Sequence, residues 1–214
     1  QLISNECVVQ YKDTDISYAV CGIPYAIGGE IADFEELTPR DAKWFKKRYN
    51  VDIHTSHEVL CINHSTKIVT VKNLLTGDVF EDKYDVLVFA TGATFLTPDA
   101  FLGKHFENVF QVRNINSGKK IKSFIENEKP MTAVIVGAGY IGLEVAEQLK
   151  ARGIEVTILQ RGKHPLSHLD WDMSIRIEDE MIKQGIDFRS EETIQTLNGS
   201  SRLDEAITNK GTKL

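Results

Sequence analysis

The chain has 214 residues, 42% of them hydrophobic, and a formal net charge of −6. That length holds one or two domains of ~100–200 residues with enough apolar content for a core. The acidic balance argues against a nucleic-acid or anionic-membrane partner, no apolar run reaches the ~18 residues of a membrane span, and no secretory signal is evident.

Glu6 to Tyr11 is the first strand candidate. Ser17 to Gly29 is small, apolar and glycine-rich, and suits a helix start packed against a ligand. Thr38-Pro39 reads as an N-cap followed by the first helical position, opening a helix to Tyr49 with Trp44 and Phe45 inward. Its lysines, with Arg48, read as a solvated face, and Val51 to His54 returns as a strand. A meander follows over Glu58 to Ile62, Lys67 to Lys72 and Asp78 to Glu81, turning at Asn63-His64-Ser65 and Thr76-Gly77-Asp78. Tyr84 to Ala90 is more continuously apolar than the meander and is expected as a buried strand. It leads into Thr91-Gly92-Ala93. Lys119 to Pro130 reads as a polar helix and turn joining two domains, 1–116 and 117–214, with the boundary near Ser117-Gly118.

Thr132 to Leu149 says most about the chemistry. A short β-branched run is followed at once by Gly137-x-Gly139-x-x-Gly142, then by helix spacing in Ile141, Val145 and Leu149. A buried strand, a glycine turn and a helix are what dinucleotide binding requires. Gly137 allows the turn, Gly139 lets the backbone approach a pyrophosphate at the positive end of the helix, and Gly142 permits close helix packing. Ala138, Tyr140 and Ile141 complete the loop. Glu155 to Gln160 is the next strand, Asp172 to Gly185 an amphipathic helix, and Ile186 to Arg189 a third strand. Thr193 to Leu214 reads as paired strands turning at Asn198-Gly199.

Four segments together resemble the pyridine nucleotide-disulfide oxidoreductases, in particular the coenzyme A-disulfide reductase and NADH oxidase branch. They are Ser17 to Gly29, Tyr84 to Ala93, Thr132 to Leu149, and Leu169-Asp170-Trp171-Asp172-Met173. The resemblance implies an α/β chain of two Rossmann-like domains. The first, binding FAD, is incomplete and carries an antiparallel meander; the second, binding NAD(P)H, is truncated at its C-terminus. It implies that Cys21 is a single redox cysteine, since no cysteine lies five residues away. The thiolate would form a mixed disulfide with a small disulfide such as that of coenzyme A, or cycle through sulfenic acid with oxygen or peroxide. Ser17 is expected to contact substrate, Ala90, Thr91 and Gly92 to contact flavin, and Glu144 and Tyr140 to stand near the nicotinamide. A homodimeric parent enzyme is implied. Without the motif, Cys21 reads as a buried small hydrophobe, and Cys7 and Cys61 read as core residues. An odd cysteine number fits a reducing, cytoplasmic compartment. No metal site is expected, because Pro165 keeps His164 and His168 from sharing a helix face.

The chain also departs from the family. It has no first glycine motif for FAD, Tyr11 stands where a ribose-binding acid belongs, and Val20 replaces the asparagine usual before the cysteine. The C-terminal flavin motif and dimer domain are likewise absent. A non-catalytic nucleotide-binding fragment with little hold on FAD is therefore a rival expectation. The slot for an NAD-binding carboxylate holds Gln160, followed by Arg161. An uncharged residue beside an arginine tolerates a 2′-phosphate, which favours NADPH.

Overall fold

The computed structural model describes residues 8–11, 19–38, 40–91 and 98–214. Cys7, Ser17, Pro39 and Gly92 lie outside these. Packing divides the chain into two interleaved units, Gln1–Tyr18 with Thr38–Thr94, and Ala19–Leu37 with Phe95–Leu214. This division by packing differs from one drawn by motif at Ser117-Gly118.

In the first unit, β1 (Val8–Tyr11) runs parallel to β2 (Val51–His54), with Val8 opposite Val51. The chain's first helix, α1 (Ile23–Gly28), belongs to the other unit. Helix α2 (Ala42–Tyr49) starts later than the Thr38-Pro39 pair implied. Asp41 is the N-cap, its carboxylate accepting from the Trp44 N–H at 2.8 Å. An aspartate here supplies both the acceptor and a negative charge at the positive helix end. Trp44 and Phe45 are only half-buried.

The meander forms as expected. Strands β3 (His57–Asn63), β4 (Ile68–Asn73) and β5 (Val79–Lys83) are antiparallel in that order. Both turns are built by asparagines. Asn63 Oδ1 accepts from the N–H groups of Ser65 and Thr66, and Asn73 Oδ1 from those of Leu75 and Thr76. Central β4 buries Val69 and Val71. Edge strand β3 does not bury its side chains, so Cys61 is exposed rather than a core residue.

Tyr84 to Ala90 is not a strand. No described strand pairs with it, and Val86, Val88 and Phe89 are 82%, 79% and 69% exposed. An apolar run without ladder partners has nothing to hold it extended.

In the second unit, α3 (Ile115–Glu128) is capped by Asn114 and Ser117 reciprocally. Ser117-Gly118 therefore lies inside a helix. Gly118 is there for packing, since a side chain added to it would strike Phe34 and Ile23. Strands β6 (Thr132–Val136), β7 (Glu155–Gln160) and β8 (Asp187–Ser190) form a parallel sheet in that order. Helices α4 (Tyr140–Ala151) and α5 (Trp171–Lys183) provide the crossovers. This is the strand order of one Rossmann half. Central β7 is deeply buried through Val156, Ile158 and Leu159, whereas among the described residues β6 pairs only with β7. Val134 and Val136 are consequently exposed, and β6 is an edge strand rather than a buried one. Strands β9 (Ile194–Gly199) and β10 (Leu203–Thr208) form an antiparallel hairpin. Asn198-Gly199 ends β9 and the turn follows it, because a side chain on Gly199 would run into the Arg202 carbonyl.

Candidate functional site

The three glycines after β6 do three different things. Gly137 has φ 107°, a conformation open to glycine, and its N–H donates to the Leu159 carbonyl at 2.8 Å. Gly139 is the N-cap of α4 in an extended conformation. A side chain added to it would meet nothing within 4 Å, so the space before the helix is open. A side chain on Gly142 would collide with the Gly137 carbonyl, so the helix packs directly on the loop. No side chain caps α4 and no acidic residue occupies its first turn. Its leading N–H groups therefore face that open space, an arrangement that fits a pyrophosphate.

Gln160 ends β7 and reaches back to this loop. Its Oε1 accepts from the Ala138 N–H at 3.1 Å, and its Nε2 donates to the His164 carbonyl at 3.3 Å. Ala138 is fully buried, and its carbonyl accepts from the Leu166 N–H at 2.9 Å. Arg161 is exposed immediately beyond. Tyr140 and Ile141, in the first turn of α4, are 58% and 47% exposed. Val145 and Leu149 supply the buried stripe.

Cys21 lies in a single 3-10 turn, Val20–Gly22, leading into α1, and is exposed rather than buried. Pro24 stands in the first turn of α1, and Gly22 presses on Leu37. Helix α1 packs against α4, where Gly28 abuts Gln148. Gln148 Nε2 donates to Glu30 at 2.8 Å, and Arg152 Nη1 donates to the Ile27 carbonyl at 2.9 Å. Tyr25 stands one turn beyond Cys21. The negative charge of Glu144 on α4 is the main cause holding its phenol above the ordinary value, with desolvation adding to it. The structure thus joins the cysteine segment to the helix that opens at the glycine loop. Ala90 and Thr91 are exposed and outside any strand, so the flavin half of the site gains nothing here beyond the sequence.

Two side-chain pairings escaped the sequence reading. His168 Nε2 is 3.0 Å from the Tyr140 hydroxyl, with the rings 5.2 Å apart. Glu192 is a buried carboxylate bonded to the Thr208 hydroxyl. Neither had a motif to reveal it, since both pairings join residues 28 and 16 positions apart. His164 lies 3.5 Å from Glu178, so the two histidines serve different neighbours. Among the described residues no three metal-ligating side chains converge, and no helix is long and apolar enough to cross a membrane. A concavity of ≈ 510 Å³ along α3, lined by Phe110, Ser123 and Phe124 among others, includes none of the candidate site residues.

Residues 4–214 match the family model described as pyridine nucleotide-disulphide oxidoreductase. A coenzyme A disulfide reductase from Staphylococcus epidermidis is 38% identical over 195 residues, covering 91% of this chain and 44% of that protein. The chain thus spans less than half the length of this curated relative. Among solved structures, reduced CoADR-RHD from Bacillus anthracis superposes with a TM-score of 0.88 at 28% identity, over 100% of this chain and 38% of that one. An engineered water-forming NADPH oxidase bound to NADPH, a mutant of the Lactobacillus brevis NADH oxidase, has a TM-score of 0.79 at 27% identity, over 97% of this chain and 45% of that one. With the glycine loop and the α/β architecture, these matches place the chain in the pyridine nucleotide-disulphide oxidoreductase family.

Proposed function

We propose that the protein carrying this sequence is a flavin-dependent disulfide reductase. It takes electrons from NAD(P)H and delivers them through Cys21 to a small disulfide of the coenzyme A class. The observation that carries this reading is the packing of α1 on α4, which ties the Cys21 turn to the helix opening at the glycine loop. Residues 117–214 serve as the NAD(P)-binding domain and 1–116 as the FAD-binding part, with Ala90, Thr91 and Gly92 on the flavin side and Ser17 on the substrate side. The backbone from Gly137 to Gly142 holds the pyrophosphate. Glu144 and Tyr140 stand toward the nicotinamide. FAD, when bound, supplies the relay of two electrons between nicotinamide and sulfur.

The Cys21 thiolate attacks one sulfur of the disulfide, forming a mixed disulfide and expelling one thiolate. Two electrons from NAD(P)H then cleave the mixed disulfide. The net reaction converts NAD(P)H, a proton and one disulfide into NAD(P)⁺ and two thiols. The exposure of Cys21 suits an attack on a bulky substrate. Gln160 followed by Arg161 supports NADPH. The engineered NADPH oxidase has an aspartate replaced by alanine and, at the next position, an alanine by arginine. That is the same shift from carboxylate to uncharged residue plus cation. The active form is proposed to be a cytoplasmic homodimer.

A second reading draws on the likeness to the Lactobacillus brevis NADH oxidase. Cys21 would then cycle through sulfenic acid, with oxygen or peroxide as the electron acceptor. One experiment separates the two. NAD(P)H consumption by the intact enzyme is followed with coenzyme A disulfide under argon, and then with oxygen alone. Disulfide turnover lost in Cys21→Ser, with flavin bleaching by NAD(P)H retained, supports the reductase. Full disulfide turnover by Cys21→Ser refutes it, and turnover with oxygen alone favours the oxidase.

A further inference from the structure

Glu192 is a carboxylate that the redox chemistry does not use, yet it is only 5% exposed. Burying a charged carboxylate is costly unless it is hydrogen-bonded. Here the partner comes from β10: the hydroxyl of Thr208, itself fully buried, donates to Glu192 Oε1 at 2.6 Å. The same Thr208 oxygen accepts from the N–H groups of Lys210 and Thr212 at 3.3 and 3.2 Å. The hairpin end is therefore wound around one hydroxyl. That hydroxyl is the main cause holding the Glu192 carboxyl below its usual range, against the opposing effect of burial, with smaller help from the Thr212 side chain and the charges of Arg189 and Lys210.

The backbone of this segment points the other way. Glu192 N–H donates to the Gln160 carbonyl at 3.0 Å, and Glu191 N–H to the Gly162 carbonyl at 3.1 Å. Glu191 has φ 54°, a left-handed turn that few residues with a side chain adopt. Lys210, in the turn just after β10, donates from Nζ to the Ser190 carbonyl at 2.7 Å and ties the segment to that end of the hairpin a second time. Residues 190–192 are thus pinned between β10 and the tip of β7. At that tip Gln160 holds the Ala138 N–H of the glycine loop, and Arg161 follows.

We propose that Glu192 is a positioning residue for the adenosine end of the dinucleotide. Its buried carboxylate locks the Gln160-Arg161-Gly162 tip against β10, and so sets the side chains that meet the ribose and its 2′ substituent. The inference rests on the reading of the glycine loop as the dinucleotide site. A tip left untethered would have to be ordered when the nucleotide binds, and that ordering weakens affinity.

The test compares Glu192→Ala, Glu192→Gln, Thr208→Val, Thr208→Ser and the Glu192→Ala/Thr208→Val double variant in the intact protein. All are studied at a temperature where unfolding curves show them folded. Calorimetry with NADPH and NADH gives affinities, and hydrogen exchange without nucleotide reads the Ala138 amide. Glu192→Ala and Thr208→Val should each weaken NADPH binding about tenfold, the scale of one well-placed hydrogen bond. The double variant should lose no more than the larger single loss. Glu192→Gln, which keeps an acceptor, and Thr208→Ser, which keeps the hydroxyl, should stay within about threefold of the wild type. Exchange at Ala138 should quicken in Glu192→Ala, Thr208→Val and their double variant, and stay near the wild-type rate in Glu192→Gln and Thr208→Ser.

Unchanged exchange at Ala138 in Glu192→Ala overturns the tether, whatever the nucleotide does. Faster exchange with unchanged affinity overturns the positioning role and leaves the dinucleotide reading standing. Thr208→Ser behaving like Thr208→Val also overturns the proposal, since the hydroxyl would then be irrelevant. A wild-type protein that binds neither nucleotide overturns both this proposal and the reading beneath it.

Discussion

Replacing Gln160 with glutamate should shift the ratio of NADPH to NADH affinity toward NADH. The Gln160 amide is held at both ends, by the Ala138 N–H and by the His164 carbonyl. A glutamate can keep the first bond through one oxygen but loses the donor to His164. That loss acts equally on both nucleotides and cancels in the ratio of their affinities. What remains is a fixed negative charge in the position where the family's carboxylate meets the ribose. At ~5 Å and an effective dielectric of ~40–80, each unit of charge on a 2′-phosphate is repelled by about 0.8–1.7 kcal/mol. With about 1.5–2 charges on the phosphate, the penalty is roughly 1–3 kcal/mol, or about 5- to 150-fold in NADPH affinity. NADH gains a charge-assisted bond from its 2′-hydroxyl instead. Calorimetric titration of the wild type and Gln160→Glu with both nucleotides, at low and high salt, measures the ratio directly. It should move at least about tenfold toward NADH, and less at high salt. A ratio within about twofold of the wild type would show that Gln160 is not near the 2′ position, and the reasoning would fail.

Other outcomes follow from the same geometry. Gly139→Val should abolish nucleotide binding with little change in the unfolding midpoint, because its side chain enters open space in front of α4; unchanged affinity by calorimetry counts against the loop. Gly118→Ala should destabilise the fold by about 1–3 kcal/mol in urea unfolding, because its methyl group strikes Phe34 and Ile23 where α3 meets the α1 segment. No loss there would mean that the two side chains give way freely. The Glu192 carboxyl titrates below its ordinary value of 4.5, chiefly through the Thr208 hydroxyl. A depressed folded value means that its stabilisation is present above about pH 4.5 and fades as pH falls toward the folded value. The unfolding midpoints of the wild type and Glu192→Gln should therefore differ at pH 7 and converge in acid, and a constant gap would contradict the assignment.

Local chemistry determined much of this protein directly. The run Thr132 to Val136, the glycine spacing and the stripe through Val145 and Leu149 specify strand, turn and helix, because each depends only on neighbours within a few residues. The meander turns were equally legible, since Asn63 and Asn73 bond their own backbone two and three residues on. Cys21 was visible through its resemblance to a family segment, not through any property of one cysteine. What the sequence could not decide depends on partners distant in the chain. Tyr84 to Ala90 has the composition of a buried strand, but a strand exists only where another pairs with it. Cys61 looked like a core residue, yet β3 is an edge whose side chains are left uncovered. Asp41 displaced Thr38 as the cap of α2 because its carboxylate reached the Trp44 N–H. The packing of α1 on α4, the Tyr140–His168 pair and the tether from Glu192 to Thr208 join residues far apart in sequence. Only the tertiary structure brings those groups within hydrogen-bond reach, because no local periodicity encodes the meeting of two side chains from separate elements.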